Sequence, residues 1–389
     1  MKPSRFFLDA NAGIAVRPEV LETWRKVELD APGNPSAMNR RGRHAQAVLE
    51  DARAQCAALL GVDKRTLVFT SGATEANNLA LYGIAQERRQ WDGNWPLLLA
   101  SMAEHPAALA PLRRMQEQGA KLKLLPISAH AQVDLGAVAE AITDHSGSVL
   151  LSLQWANNET GAIQAIDKAA GFLSSQFDWH CDAVQGVGRL PWSGAIRQAS
   201  SFTLSGHKIG APKGIGLLHL AEATPFHATM VGGGQQNNRR SGTESPALAA
   251  AFVHALELSL QEQETRHAHD LALRDIFLHA LHEESFPLRE NHPQERGLAN
   301  TLNLSFEGID GRLLLPALDA EGLDVASGSA CSSGAAQASQ VLRACGLSEE
   351  LARASIRLSF EANWDLKQAN EAAERMILVL QRIYKVAKR

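Results

Sequence analysis

The sequence is poor in the features that several common function classes require. No apolar run approaches the roughly 18 residues that span a bilayer, so no membrane span is expected. Charge of one sign is not in excess, since 38 Lys and Arg stand against 42 Asp and Glu for a formal net charge of -4. The basic residues are also spread along the chain, which argues against nucleic acid or anionic lipid as a partner. Cys56, Cys181, Cys331 and Cys345 form no CxxC pair and no Cys/His group at metal-ligand spacing, so no metal centre is expected. GxxxxGK[ST] is missing, which leaves a P-loop unsupported. The N-terminal MKPSRFFLDANAG has a short apolar core that soon meets Asp9, unlike a signal peptide. A cytoplasmic protein with reduced thiols is the expectation.

What is present is a rhythm. A chain of 389 residues that is 45% hydrophobic is expected to divide its core between two domains. Short apolar runs at 67–70, 96–101, 121–126, 148–153, 177–181, 200–204 and 214–220 alternate with helical periodicity, as at 43–60 and 106–119. That alternation predicts an α/β fold with a mostly parallel central sheet and helices on both faces. From about residue 246 a long helical stretch leads into strand-like 301–306, a helix near 311–321, apolar 355–360 and an amphipathic helix over 365–386, read as a smaller α+β domain.

In an open parallel sheet, ligands sit beyond the carboxyl ends of the strands. After LVFT comes SGATEANN, a helix start with free N–H groups and hydroxyls from Ser71 and Thr74, which reads as an anion site or as an ordinary N-cap turn. His105 follows 96–101, and Asn157, Asn158 and Glu159 follow 148–153; both also read as plain loop residues. Asp182 directly follows a buried run with no Arg or Lys beside it, so it calls for a cationic ligand or a distant ion-pair partner. After 200–204 comes SGHKIGAPKGIG, where Ser205, His207 and Lys208 suit a phosphate next to a covalent amine, while Lys213 sits in a Pro-Gly turn. An anion pocket, an imidazole, a buried acid and a lysine together are what pyridoxal 5'-phosphate requires.

With these motifs assembled, the chain resembles the cysteine desulfurases, pyridoxal-phosphate enzymes of fold type I in the class-V aminotransferase superfamily. The likeness runs through LDANAG, GNPSAMNRRG, FTSGATEANN, AEHPA, NNETG, DAVQGVG, SGHKIGAPKGIG, GGGQQNNRRSGT, SGSACSSG and SIRLS. It implies that Lys208 forms the Schiff base, that His105 stacks on the cofactor ring and that Asp182 partners the pyridine nitrogen. Gln185 and Asn158 would hold the ring's phenolic oxygen, and Ala73, Thr74, Ser205 and His207 the phosphate. Thr243 would reach the partner's phosphate across a homodimer interface, and Arg357 and Asn34 would hold the substrate carboxylate. The implied division is a large cofactor domain over 15–255 and a small domain made of 1–14 and 256–389.

Cys331 lies among small and hydroxyl residues that cannot pack a core, unlike the other three thiols, which read as small buried hydrophobes. The resemblance makes it the nucleophile that takes sulfur from L-cysteine as a persulfide and passes it to an acceptor protein. Departures from the family pattern are Gly13 and Ile14 in place of a hydroxyl, Gln236 where an acid is common, and Glu361 where a glycine usually follows SIRLS. A selenocysteine lyase or another class-V lyase or transaminase is the alternative enzyme reading, and a non-catalytic scaffold of the same fold is the third. Cys331 argues against a plain transaminase, and the joint presence of Lys208, Asp182, His105 and Cys331 argues against a scaffold.

Overall fold

The computed structural model describes residues 5–171, 177–293, 295, 297–327, 338–361 and 363–387. After the short β1 (Phe6–Phe7) come seven strands of one sheet: β2 (Leu67–Thr70), β3 (Leu97–Ser101), β4 (Leu122–Leu125), β5 (Val149–Ser152), β6 (Phe177–Asp182), β7 (Ser201–Ser205) and β8 (Gly216–Leu220). Their spatial order is β2-β8-β7-β6-β5-β3-β4. Pairs from β4 through β7 are parallel, and β8 runs against both of its neighbours. The sheet is therefore mostly parallel, as the alternation of apolar runs and helices predicts.

Helices cover both faces. On one side Leu49 and Cys56 of Arg40–Leu60 and Phe252 of Pro246–Gln261 pack on Phe69, Trp179 and Phe202. On the other, Leu81 and Ile84 of Ala73–Asp92 and Leu112 of Pro106–Glu117 pack on Val68, Leu98 and Leu218. Val68 and Phe69 thus serve opposite cores, which is the two-residue period of a strand buried on both sides.

The helix read at 43–60 begins three residues earlier, because Asn39 caps it by accepting from Gly42 N at 2.9 Å. It ends at Gly61, whose left-handed φ of 67° closes the last turn. The long helical stretch after 246 divides into Pro246–Gln261 and Gln263–Glu283. Between them lies Glu262, held by both guanidinium ends of Arg17 at 2.7 and 2.8 Å.

A smaller sheet has the antiparallel order β12-β10-β9, made of β9 (Leu288–Glu290), β10 (Thr301–Phe306) and β12 (Ser355–Ser359). β1 pairs in parallel with β11 (Leu323–Asp324). Leu8 joins Phe277, Leu304, Phe306, Phe360 and Leu380 in a separate core, so the start of the chain packs with its C-terminal third. Ser359 N donates to Leu8 O at 2.8 Å and Ser359 Oγ accepts from Asn11 N at 2.9 Å. Those bonds stitch the LDANAG segment along the small sheet and bring it over the carboxyl edge of the large one.

Candidate active site

The carboxyl ends of the parallel strands deliver one polar group after another to a common edge. β2 ends at Thr70, and Gly72 then starts the helix Ala73–Asp92 with no side-chain cap. A Cβ on Gly216 would lie 2.7 Å from the Gly72 backbone, so the sheet and the helix start approach as only glycine allows. Gly72 itself has φ 156° and open space in front of it. The first N–H groups of a long helix therefore face a gap, where a dianion is favoured. Ser205, the last residue of β7, shares a 3.0 Å hydrogen bond with His207 Nδ1 near this gap. Burial, then Lys208 and Lys213, bring the His207 imidazole down to about 4, so it is neutral at physiological pH.

Asp182 ends β6 rather than following it, and is 7% exposed. It accepts from Asn77 Nδ2 at 2.8 Å and from Val184 N at 3.1 Å. Asn77 Oδ1 in turn lies 3.0 Å from His180 Nε2, and His180 Nδ1 lies 2.8 Å from Ser201 Oγ. Burial brings His180 down to about 4, so its neutral ring links the network. Neutral donors hold the carboxylate, and among the described residues no ion pair is made to it. A buried anion held in this way fits a cationic ring nitrogen.

Lys208 ends the short turn Gly206–Lys208, and its Nζ donates to Asn11 O at 2.6 Å. Burial, with Arg189 and Arg357 acting in the same sense, pulls its ammonium down to about 7. The amine is therefore partly free of its proton near neutral pH, as a nucleophilic lysine must be. Gln185 Nε2 donates to the same Asn11 carbonyl at 3.0 Å.

A cleft of about 850 Å³ opens beside these groups, lined in part by Asp9, Glu104, His105, Asn158, Glu159 and Arg357. Arg357 of β12 pairs with Asp9 and donates from Nη1 to Asn158 O at 2.8 Å, and among the described residues its buried Nε has no partner. That unused donor suits an incoming carboxylate. His105 Nδ1 accepts from Ala107 N at 3.0 Å and caps the helix Pro106–Glu117. Loss of surrounding water lowers the His105 imidazole, opposed by Asp182 and aided by Lys208 and Arg357.

The structure brings Ala73, Thr74, His105, Asn158, Asp182, Gln185, Ser205, His207, Lys208 and Arg357 to this edge. Asn34 stands apart: it is exposed, its side-chain oxygen accepts from Ser36 N at 2.9 Å, and it does not line the cleft. Thr243 is likewise exposed and outside the cleft lining. Cys331 lies outside the described residues, although Ser327 and Ala338, on either side of it in sequence, both line the cleft. Cys56, Cys181 and Cys345 are buried, and burial raises all three thiols, so none is poised as a thiolate. Cys345 caps the C-terminal end of the helix Gln340–Ala344.

Reasoning from sequence missed Asn77, His180, Asn11, Glu104 and Asp9, because each acts through a partner that is distant in sequence. Glu361 also proves to face elsewhere: its Oε1 accepts from Ala15 N at 3.2 Å, and it lines a separate 250 Å³ hollow with Arg17, Glu262 and Arg266. Among the described residues there is no group of His, Cys, Asp and Glu suited to a metal, and no helix long and apolar enough to cross a membrane.

Comparison with known proteins decides the family. The aminotransferase class-V family matches residues 6–368. The chain belongs to the class-V aminotransferases. A cysteine desulfurase of Dictyoglomus turgidum is 32% identical over 382 residues, covering 97% of this chain and 95% of that protein. The chain falls among these cysteine desulfurases within the class-V family. A solved structure described as a NifS-like protein superposes with a TM-score of 0.88 at 27% identity, covering 97% of this chain and all of that one. Another, described as SspA in complex with cysteine, has a TM-score of 0.78 at 28% identity, covering 91% of this chain and 98% of that one.

Proposed function

We propose that the chain is a pyridoxal-phosphate-dependent cysteine desulfurase that converts L-cysteine to L-alanine and transfers the sulfur to Cys331. Asp182 carries this reading: a buried carboxylate oriented by neutral donors, beside a lysine whose pKa is lowered and an uncapped helix start. Lys208 would hold the cofactor, Asp182 its ring nitrogen, Gln185 and Asn158 its ring oxygen, and Ala73, Thr74, Ser205 and His207 its phosphate. Bound there, the cofactor supplies an aldehyde for a covalent amine link and an electron sink.

The chain's own residues supply the rest. Arg357, whose Nε has no partner among the described residues, orients the substrate carboxylate. Lys208 Nζ takes up and returns a proton near neutral pH, because burial has brought it to about 7. His105, whose Nδ1 accepts from Ala107 N, is held as the neutral tautomer with its proton on Nε2, from which it can donate to a reacting group. The Cys331 thiolate attacks the substrate sulfur, so an S–S bond forms as the substrate Cβ–S bond breaks and Cβ gains a proton to give L-alanine. The persulfide then passes to an acceptor protein. Thr243, exposed and outside the cleft lining, is in this reading the residue that reaches a second copy of the chain, and Asn34 keeps its expected role toward the substrate carboxylate although its side chain is exposed and bonded to Ser36 N.

Incubation with L-cysteine tests the proposal, with alanine and sulfide assayed for wild type, Cys331→Ala and Lys208→Ala. Wild type is expected to form alanine, Cys331→Ala to lose sulfur transfer, and Lys208→Ala to lose its near-visible absorption band. A wild type that binds the cofactor but forms no alanine would refute the activity.

A further inference from the structure

We propose that Arg189 is a positioning residue for this site, locking Gln185 in one amide orientation and setting a fixed positive charge behind Lys208. Arg189 follows the DAVQGVG turn and is 6% exposed. Its Nη1 donates to Gln185 O at 3.1 Å and also to Gln185 Oε1. With Oε1 committed to the guanidinium, the amide must present Nε2 on its other side, where it donates to Asn11 O at 3.0 Å. Lys208 Nζ donates to that same carbonyl at 2.6 Å. A continuous hydrogen-bonded path thus joins a buried cation to the lysine amine through Gln185 and Asn11.

Packing alone does not account for this arginine. Burying a charge is costly unless a counter-charge and a full set of hydrogen bonds compensate it. Yet among the described residues Arg189 Nε and Nη2 are buried without partners, and Asp270, the acid that acts on this guanidinium, is paired with Arg266 at 3.7 Å. Burial lowers the Arg189 guanidinium to about 9, which still leaves it charged at neutral pH. Its field falls on Lys208, where it acts with Arg357 and against Asp9 and Asp182. His105 and His207 also feel Lys208, and the shifts described above favour their neutral forms. The unsatisfied cation is therefore explained by what it does to the amine, which an apolar residue of similar size could not do.

The inference rests on Lys208 as the cofactor-binding amine, and the experiment separates the two. The near-visible band of the purified holoenzyme is titrated with pH in wild type, Arg189→Gln, Arg189→Lys and Lys208→Ala. Arg189→Gln removes the charge while keeping a donor for Gln185, and is expected to raise the band's titration midpoint by about one pH unit. Arg189→Lys keeps the charge but ends one bond short of Nη1, the nitrogen that makes both contacts to Gln185, so its midpoint is expected to stay at the wild-type value while the absorption maximum moves as the Gln185 amide turns. A wild-type midpoint in Arg189→Gln would overturn the charge role. A band that survives in Lys208→Ala would instead overturn the assignment of Lys208. If circular dichroism shows that Arg189→Gln does not fold, Arg189→Lys decides: an unmoved midpoint with a shifted maximum supports the inference, and either a raised midpoint or a wholly unchanged band overturns it.

Discussion

Asn77 Nδ2 donates to Asp182 Oδ2 at 2.8 Å, across 105 residues of sequence and inside the core. Asn77 is fully buried and is itself oriented by His180 at 3.0 Å, so the direction of the Asp182 carboxylate is decided by a side chain that never reaches the cleft.

Asn77→Leu keeps the volume and removes that bond. It leaves Asp182 with Val184 N alone and His180 Nε2 without a partner, at a cost of about 1 to 3 kcal/mol. Much of this should appear as weaker holding of the cofactor, with affinity lower by roughly tenfold or more in a fluorescence titration. Unchanged affinity would show that Asp182 is oriented without Asn77.

Arg357→Lys tests the substrate side. Lysine keeps the charge but cannot make the forked contact that Nε and the two terminal nitrogens allow. KM for L-cysteine is expected to rise by roughly tenfold to a hundredfold, with a smaller change in kcat. Steady-state kinetics that gave the same KM would remove Arg357 from the carboxylate site.

Glu104 makes stability depend on pH. It accepts from Gln154 N at 2.7 Å and is bonded to Ser152 Oγ at 3.1 Å, with burial raising its carboxyl to about 8 from an ordinary 4.5. Between those values the folded protein binds more protons than the unfolded chain, so stability falls as pH rises through this window. Glu159, raised by burial to about 7, adds the same trend over the lower part of it. Urea midpoints for Glu104→Gln are expected to fall less than those of wild type between about pH 5 and about pH 8. Parallel profiles for the two proteins would contradict this.

Gln236 is a structural pin. Its Oε1 accepts from Phe69 N at 2.7 Å and from Arg53 Nη1 at 2.9 Å, and its Nε2 donates to Glu244. This explains an amide at a position where the family often has an acid, since Glu244 takes the donor that an acid lacks. Gln236→Leu strands Phe69 N and leaves Arg53 Nη1 with Leu67 O alone, and is expected to lower unfolding stability by about 1 to 3 kcal/mol, read from thermal or urea melts. A melt like that of wild type would show that other groups hold Arg53.

Much of the fold was legible because local chemistry dictates it. The runs at 67–70 and 301–306 coincide with β2 and β10, and Gly61 closes its helix as a glycine in that position should. The groups at the strand ends were legible for the same reason, since an apolar run followed by a polar cluster marks the carboxyl edge of a parallel sheet. Gly13 could be seen as a departure but not explained. In the fold, a Cβ there would lie 3.1 Å from the His207 ring, so a larger residue would press on that imidazole.

The sequence by itself determined the parallel α/β architecture, the family, and the identity of the lysine, the acid, the imidazole and the arginine that meet at the sheet edge. Periodicity and motif order are local, and the linear chain carries them in full. Only the tertiary structure decided which groups orient them: Asn77 behind Asp182, Asn11 between Lys208 and Gln185, Asp9 against Arg357, and Arg189 behind them all. It also turned Glu361 away from the cleft and onto Ala15 N. These pairings span up to 348 residues, and they form because burial leaves each polar group with only the partners that the packing brings within reach.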